Sequence, residues 1–382
     1  MTARLLISCG EPSGDLYAGA LVRELRARHP DLSVAGLGGP QLAAAGGELL
    51  ADYRGLAVTG ITEVLPKLSD LLAARKRLVD WAREHRPDAL VVIDYPDFNL
   101  RLARSVKKLG IPVISYISPQ IWAWRPGRLR TIKQVVDRVL VIFPFEEAIY
   151  ERGGVPVEFV GHPLIDLVPA TPDRRAILGG FGLDPDARTV ALLPGSRANE
   201  VRHILPDLLR ASDLLAARVP GVQFVVARAP NLDDALFDEV KASTRRTAVV
   251  EGQTDAVLAA ADVALTASGT ATVQTALHDT PMVVVYRLSP LTYTLGRRFV
   301  KVDTFAMVNL IAGERLVPEL IQDAFTPEAV AREAESMLID AARVATIRAG
   351  LARVRSRLGG PGASRRAAEA IVRAMAPAAV RV

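Results

Sequence analysis

Hydrophobic residues fall in short unbroken runs along the chain, and stretches with helical spacing separate these runs. A run of strand length without polar alternation indicates a strand that is covered on both faces, which is typical of parallel sheets. The predicted strands comprise residues 4–9, 32–37, 56–64, 90–93, 111–117, 139–143, 190–193, 222–227, 248–251, 262–266 and 281–286. The pattern therefore predicts an α/β fold with parallel sheets.

The alternation of strands and helices occurs in both halves of the chain, and a proline-containing stretch at 169–172 separates them. A chain of 382 residues is too long for one compact core. We predict a Rossmann-like domain over 1–168, a second over 169–345, and C-terminal helices over 346–382 that pack back on the first domain. In this architecture the parallel sheets of the two domains face a cleft.

The first glycine-containing loop, residues 10–15, lies between the first predicted strand and a helix. Its glycine spacing differs from the dinucleotide fingerprint, and Glu11 would repel a pyrophosphate. A carboxylate, a hydroxyl and backbone donors suit the hydroxyls of a sugar instead. The candidate contacts are Glu11, Ser13, Gly14 and Asp15. Alternatively, the glycines only turn the chain while Ser13 or Asp15 caps the helix.

Three polar residues, Asp94, Asp97 and Asn99, follow the predicted strand 90–93. In open parallel sheets ligands bind outside the carboxyl ends of the strands, so these residues are placed where a site is expected. Aspartate and asparagine are also common in turns and helix caps. The alternative is therefore that Asp94 caps the next helix and Asp97 is merely solvated.

The second half contains two turns that suit phosphate. Gly195, Ser196 and Arg197 follow a predicted strand and offer backbone N–H groups, a hydroxyl and a planar cation. A second turn at a predicted helix start comprises Ser268, Gly269, Thr270 and Ala271. Two such turns in one domain predict a diphosphate ligand, and Gln253, at the start of another helix, is assigned to the same site.

The composition narrows the classes of partner. A net charge of +5 suits an anionic ligand or an anionic membrane surface as well as nucleic acid. The single cysteine, Cys9, excludes an internal disulfide framework and fits a reducing compartment. No apolar run reaches the ~18 residues of a membrane-spanning helix. We therefore predict a cytoplasmic protein that is soluble or peripheral to a membrane.

Two stretches combine apolar side chains with cations. The helix predicted over 66–85 has a leucine stripe from Leu65 to Leu78 beside the cations of 75–77. This pattern suits an anionic bilayer, but a helix that covers a sheet has the same pattern. Trp122 and Trp124 lie near arginines and suit a sugar platform, a membrane anchor or a packing cluster.

Taken together, these motifs resemble those of the lipid-A-disaccharide synthase family, inverting membrane-associated glycosyltransferases, over nearly the whole chain. The motifs lie in order at 10–15, 60–64, 93–99, 118–124, 143–146, 160–163, 193–197, 267–272 and 308–310. The resemblance implies a GT-B fold. It also implies a UDP-activated diacylglucosamine donor, the 6-hydroxyl of diacylglucosamine 1-phosphate as acceptor, and a β-1,6-linked disaccharide and UDP as products.

The resemblance also implies roles for individual residues. Asp97 is the general base, and Glu11 orients a sugar or supports that base. Arg197 with Ser196 clamps the diphosphate, the Ser268 turn faces the phosphates, and Asn309 lines the cleft. A single displacement with inversion needs one base and charge stabilisation on the departing UDP. Because arginine and a helix N-terminus can replace a cation, we predict no metal and no cofactor.

One position departs from the family pattern. Members usually carry a glutamate in the helix after the small-residue turn, and this chain has Gln274. Glutamine keeps one acceptor oxygen for the ribose hydroxyls but lacks the charge. We therefore expect Gln274→Glu to tighten UDP binding by about 1 kcal/mol.

Two rival functions accompany this interpretation: an isomerase of the UDP-sugar 2-epimerase type, and a non-catalytic sugar-nucleotide-binding protein. The tryptophan segment and the leucine stripe argue against the isomerase, while Asp97 and Glu11 argue against the binding protein. The predicted partners are the two lipid substrates and the inner face of the cytoplasmic membrane, without nucleic acid. The sequence leaves open whether two copies of the chain form a homodimer.

Overall fold

The computed structural model describes residues 3–55, 61–119, 121, 127–169, 173–230, 232–241, 246–287, 304 and 306–375. The chain forms two compact units, and each unit has its own parallel sheet. The first unit comprises Met1–Asp166 and Leu358–Val382, and the second comprises Leu167–Arg357. The prediction of two Rossmann-like α/β units is confirmed. The first boundary lies two residues earlier than expected, and the returning C-terminal segment begins at Leu358 instead of residue 346.

The first unit is built on seven strands. They are β1 (Arg4–Cys9), β2 (Ser33–Gly38), β3 (Glu48–Asp52), β4 (Ala89–Ile93), β5 (Val113–Tyr116), β6 (Arg138–Val141) and β7 (Val157–Phe159). Their order in the sheet is β3-β2-β1-β4-β5-β6-β7, with parallel pairing throughout. All five residues of β4 are buried, as expected for a central strand that is covered on both faces.

Helices cover both faces of this sheet. They are α1 (Pro12–Arg28), α2 (Pro40–Ala44), α3 (Ile61–His85), α4 (Pro96–Lys107), α5 (Arg128–Val135), α6 (Pro144–Arg152) and α7 (Leu164–Leu167). The strand predicted over 56–64 is wrong for residues 61–64, which open α3, while 56–60 lie outside the described residues. The apolar residues 61, 64, 65 and 68 have helical spacing that continues into α3. The sequence analysis also missed β3, a short edge strand without a fully buried residue.

The second unit has six strands: β8 (Thr189–Leu193), β9 (Gln223–Arg228), β10 (Thr247–Glu251), β11 (Val263–Ala267), β12 (Met282–Tyr286) and β13 (Glu319–Ile321). Their order is β10-β9-β8-β11-β12-β13, again with parallel pairing. The helices are α8 (Arg174–Gly180), α9 (Ala198–Arg218), α10 (Asp238–Lys241), α11 (Thr254–Ala260), α12 (Thr270–Leu277), α13 (Met307–Ala312), α14 (Pro327–Ile339) and α15 (Ala341–Arg357).

The C-terminal helix α16 (Ala363–Met375) packs on α1 and on strands β5 and β6 of the first unit. The carboxylate of Asp166 accepts hydrogen bonds from the backbone N–H groups of Gly362 and Ser364, at 2.6 and 3.0 Å. Arg366 Nε donates to the Val160 carbonyl at 2.8 Å. The helix that returns to the first unit is therefore α16, whereas α15 belongs to the second unit.

Candidate active site

The carboxyl ends of β1 and β4 bring the first two candidate segments together. The two strands are direct neighbours, with Ser8 opposite Val92 and Cys9 opposite Ile93. β1 is also the point where the strand order reverses direction, since β2 lies on its other side. Such a switch point opens a crevice at the carboxyl edge of a parallel sheet. The loop that carries Glu11 and the turn that carries Asp97 therefore lie side by side.

The turn after β4 has an uncommon backbone conformation. Asp94 and Tyr95 have φ angles of 46° and 49°, and Ile117, at the end of neighbouring β5, has a φ angle of 60°. Left-handed conformations cost non-glycine residues roughly 1–3 kcal/mol each and are least favourable for β-branched side chains. Such strain persists only where the surroundings hold it. Here it is concentrated at the edge of the sheet where the sequence predicts a site.

Asn99 holds this turn. Its side chain is almost fully buried, and Nδ2 donates to the carbonyls of Asp94 at 2.7 Å and Ser8 at 3.1 Å. Its Oδ1 accepts a hydrogen bond from Ser8 Oγ at 2.6 Å. The amide therefore ties β1 to the strained turn. Asn99 was predicted to contact substrate, and the structure instead gives its side chain protein partners.

Tyr95 packs against the loop that carries Glu11. Its ring lies against Gly10, where a Cβ atom would come within 2.2 Å of the ring, so only glycine fits there. Partial burial raises the pKa of Tyr95, and the nearby charges of Glu11 and Asp97 raise it further.

Asp97 lies in the first turn of α4, where the helix dipole favours a carboxylate. Arg128 Nη2 donates to Asp97 Oδ1 at 2.6 Å. The Arg128 side chain is 18% exposed, whereas that of Asp97 is 74% exposed. A half-buried cation thus holds a carboxylate that faces the solvent.

The other candidates of the first loop separate into two groups. Glu11 and Ser13 are half-buried at the start of α1, whereas Gly14 and Asp15 are buried. The Asp15 carboxylate accepts from the backbone N–H groups of Gly39, Gln41 and Leu42, at 2.8 to 3.1 Å. Asp15 therefore fixes the start of α2, and the predicted sugar contact is corrected to this structural role. Trp122 and Trp124 lie outside the described residues.

In the second unit the two predicted phosphate turns also follow neighbouring strands. β8 pairs with β11, with Leu193 opposite Thr266. The segment 195–197 follows β8, and the segment 268–271 follows β11 and opens α12. This is the switch point of the second sheet, equivalent to that between β1 and β4 in the first. Gln253 is exposed at the start of α11, after the edge strand β10.

Glu200, in the first turn of α9, is the acceptor for the donors of the first predicted phosphate turn. Its carboxylate accepts from the backbone N–H groups of Ser196 and Arg197 at 3.1 and 3.4 Å, and from Arg197 Nη1 at 3.1 Å. Gly195 has a φ angle of 121°, and a Cβ atom there would lie 2.5 Å from Glu200 Oε2. The donors predicted to bind phosphate thus converge on one anionic group within the protein.

Gln274 lies one turn into α12 and is half-buried. Its amide nitrogen donates to the carboxylate of Asp255, at the start of α11. The expectation for Gln274→Glu drawn from the sequence did not include this contact. A glutamate at this position would face Asp255, so the expected gain from Gln274→Glu must be corrected.

Asn309 is almost fully buried in α13 and has protein partners for its whole amide group. Nδ2 donates to the Val317 carbonyl at 2.9 Å and to Glu319 Oε1 at 2.7 Å, while Oδ1 accepts from the Val317 N–H at 3.0 Å. The predicted cleft contact is therefore corrected: Asn309 ties α13 to the start of β13.

His162, from the motif at 160–163, is a buried neutral histidine. Burial lowers its pKa to about 3. Its Nδ1 accepts from the Leu164 N–H at 3.2 Å, and its ring contacts those of Tyr17 and Phe143. The motif is thus explained by packing and by a turn in the backbone.

Sequence reasoning missed several residues that orient the site. Arg128 and Tyr95 were seen only as a nearby cation and a motif member, and Glu200, Asp255 and His278 were not selected. Glu200 carried a signal, since a glutamate three residues into a helix commonly accepts from the preceding N–H groups. Asp255, at the start of α11, and His278, just after α12, meet through one side-chain hydrogen bond, and no spacing along the chain indicates that.

Comparison with known protein families shows the family to which the chain belongs. The family model described as lipid-A-disaccharide synthetase matches residues 5–374. The lipid-A-disaccharide synthase of Myxococcus xanthus is 47% identical over 378 residues, which cover 99% of both chains. The enzyme of the same name from Geobacter metallireducens is 45% identical over 366 residues, covering 96% of this chain and 95% of the relative.

Solved structures show the same fold at low sequence identity. UDP-GlcNAc 2-epimerase from Neisseria meningitidis, bound to UDP-GlcNAc, has a TM-score of 0.69 at 12% identity, covering 98% of this chain and 100% of that one. Anabaena Alr3699/HepE in complex with UDP and glucose has a TM-score of 0.59 at 14% identity, with the same coverage. The predicted GT-B fold is confirmed. Because epimerases share it, the sequence relatives and not the fold distinguish synthase from isomerase.

Proposed function

Because the chain belongs to the lipid-A-disaccharide synthetase family and is thus a glycosyltransferase of lipid A synthesis, we propose its substrates and mechanism. The donor is UDP-2,3-diacylglucosamine, and the acceptor is the 6-hydroxyl of 2,3-diacylglucosamine 1-phosphate. The products are the β-1,6-linked disaccharide 1-phosphate and UDP, with inversion at the transferred carbon.

Asp97 is the base in this mechanism. It accepts the proton of the acceptor hydroxyl as the oxygen attacks the anomeric carbon of the donor. The observation that carries this assignment is the exposed Asp97 carboxylate, held by Arg128 next to a strained turn that Asn99 fixes. A fixed carboxylate loses little orientational freedom when the acceptor binds. Glu11, on the loop after the neighbouring strand β1, contacts a sugar hydroxyl or supports the base.

The second unit stabilises the departing UDP. The backbone N–H groups of Ser196 and Arg197 and the Arg197 guanidinium now donate to the Glu200 carboxylate, and the diphosphate takes over these donors when the nucleotide binds. The N-terminus of α12 supplies a second set of backbone N–H groups at the neighbouring strand end. Together they balance the negative charge that develops as the glycosidic bond to the diphosphate breaks.

The test is turnover of the two lipid substrates, followed by mass spectrometry of the disaccharide. Asp97→Asn should lower kcat by about 100- to 10,000-fold, the usual loss of general-base help, with UDP binding unchanged. Asp52→Asn is the matched control, since Asp52 is also paired with an arginine but lies at the edge strand β3. Near-normal turnover of Asp97→Asn would exclude Asp97 as the base.

We also propose that α3 contacts an anionic membrane. Across the described residues, no helix is long and apolar enough to cross a bilayer. One face of α3 is buried in the core and carries Ala74, Leu78 and Ala82. The stripe predicted from Leu65 to Leu78 is therefore not a single face, since Leu78 belongs to the core. Leu68 and Leu72 lie elsewhere on the helix, 38% and 45% exposed.

These exposed leucines lie on the same side of the helix as Lys76. The residues on either side of Lys76, at 75 and 77, are arginines. Sedimentation with vesicles containing phosphatidylglycerol should fall for the pair Leu68→Ser and Leu72→Ser and in molar salt, where the Debye length is ~3 Å. Ile339→Ser, which removes a still more exposed apolar side chain from the second unit, is the control. If vesicle binding does not depend on lipid charge, on salt or on the two leucines, this surface of α3 is excluded as the membrane contact.

A further inference from the structure

Asp255 joins α11 to α12 through two hydrogen bonds to one carboxylate oxygen. Oδ1 lies 2.8 Å from Gln274 Nε2 and 2.8 Å from His278 Nε2. The His278 side chain is only 2% exposed, whereas that of Asp255 is 32% exposed. The cluster is therefore anchored in the interior by the histidine and reaches the surface through the carboxylate.

Hydrogen-bond chemistry fixes the orientation of both partners. A carboxylate only accepts, so Gln274 Nε2 and His278 Nε2 both donate to it. The NH2 group of Gln274 is thereby directed at Asp255, which leaves Oε1 as the end of the amide that can accept from another group. A carboxylate offers about four acceptor sites, and these two donors occupy about half of them.

The Asp255 carboxyl is kept in its ionised form. Burial alone would raise its pKa, but the hydrogen bonds from His278 and Gln274 outweigh burial and lower the pKa below 3.8. An ionised carboxylate accepts hydrogen bonds about twice as strong as those of a neutral group. The chain thus has, next to Gln274, the charge that glutamine itself lacks.

We propose that Asp255 binds the ribose hydroxyls of the donor nucleotide, with Gln274 Oε1 as a second acceptor and His278 as a positioning residue. The proposal rests on the proposed function, because it requires a nucleotide diphosphate at the start of α12. Gln274 lies four residues beyond Thr270, about 6 Å along the helix. A ribose joined to that diphosphate has adjacent hydroxyls, and two donors match the two neighbouring acceptors.

If the hydrogen bonds of Asp255 had a purely structural role, a different outcome would be expected. Asp255→Asn would then change the stability of the second unit, but its effect on nucleotide binding would not depend on which hydroxyls the nucleotide carries. The ligand therefore has to be varied together with the protein. UDP and 2′,3′-dideoxyuridine diphosphate differ only in the ribose hydroxyls and share the uracil and the diphosphate.

Calorimetric titration of both nucleotides into the full chain tests the proposal. Asp255→Asn should weaken UDP binding about tenfold, the effect of replacing a charged acceptor, and should leave dideoxy-UDP binding unchanged. The double variant Asp255→Asn with Gln274→Glu returns a carboxylate to the pair and should restore UDP affinity. Asp186→Asn, which alters an exposed ion-paired aspartate of the same unit, is the control.

Equal losses for the two nucleotides, or no loss for either, would overturn the ribose assignment while leaving the diphosphate site intact. Wild-type protein that binds neither nucleotide would overturn the proposed donor and this proposal together. If Asp255→Asn fails to fold, the double variant decides. It must then prefer UDP over the dideoxy nucleotide as strongly as the wild type does, and a lost preference would refute the proposal.

Discussion

Gln274→Glu tests the Asp255 contact most directly, because it changes one atom of the side chain and reverses the sign of one interaction. In the wild type the Gln274 amide donates to the Asp255 carboxylate at 2.8 Å. In the variant two carboxylates meet at that distance, with only His278 left as a donor. The structure therefore predicts a loss of stability where the family pattern alone predicted a gain in UDP affinity.

The size of the loss follows from two contributions. A hydrogen bond to a charged group contributes about 1.5–3 kcal/mol. Two like charges about 4 Å apart repel by about 4 kcal/mol at an effective dielectric constant near 20. Asp255 is 32% exposed, so solvent screens much of this repulsion. We expect a net loss of about 3 kcal/mol in the free energy of unfolding of the second unit at pH 8.

The pH dependence separates repulsion from a packing defect. Repulsion raises the folded-state pKa of one carboxyl of the pair above its unfolded value. The destabilisation is therefore complete above the raised pKa and decreases as the pH falls through it. We expect much of the loss to be recovered at pH 5. The double variant with Asp255→Asn, in which an amide again faces a carboxylate, should recover stability at both pH values.

Urea unfolding followed by two signals provides the assay. All three tryptophans, at 81, 122 and 124, precede the second unit, so their fluorescence reports on the first. Circular dichroism reports on both units. The variant should lower the dichroism midpoint more than the fluorescence midpoint. Wild-type stability at pH 8, or an equal loss at pH 5 and pH 8, would refute the like-charge explanation.

Two further predictions concern the first unit. His162 has a folded pKa of about 3 against 6.5, so its contribution to stability is present above pH 6.5 and decreases as the pH falls towards 3. Urea midpoints should show that the wild type loses about 2 kcal/mol from this group by pH 5, and that His162→Asn lacks this loss. Asn99→Ala removes several buried hydrogen bonds and should cost about 3 kcal/mol while lowering kcat, since the turn carrying Asp97 is released. Unchanged turnover at saturating substrate would show that the turn holds its shape without the amide.

The sequence predicted the parallel sheets because the central strands are continuous apolar runs. It failed at the edges, where β3 has mixed exposure and residues 61–64 join a helix. It located the loops after β1, β4, β8 and β11, since those residues follow strands. It did not assign the buried polar residues Asp15, Asn99 and Asn309 correctly, because their roles depend on backbone groups that are distant along the chain.

The two units place loops at the same point of the same topology but give them opposite chemistry. After β1 and β4 the chain has the carboxylates Glu11 and Asp97, with one arginine that orients Asp97. After β8 and β11 it has backbone donors and Arg197, which surround the carboxylate of Glu200. Proton acceptance needs an anionic group that solvent and acceptor can reach, while a departing diphosphate needs donors. The fold supplies two equivalent strand-end positions, and the residues after each strand decide whether carboxylates or hydrogen-bond donors are placed there.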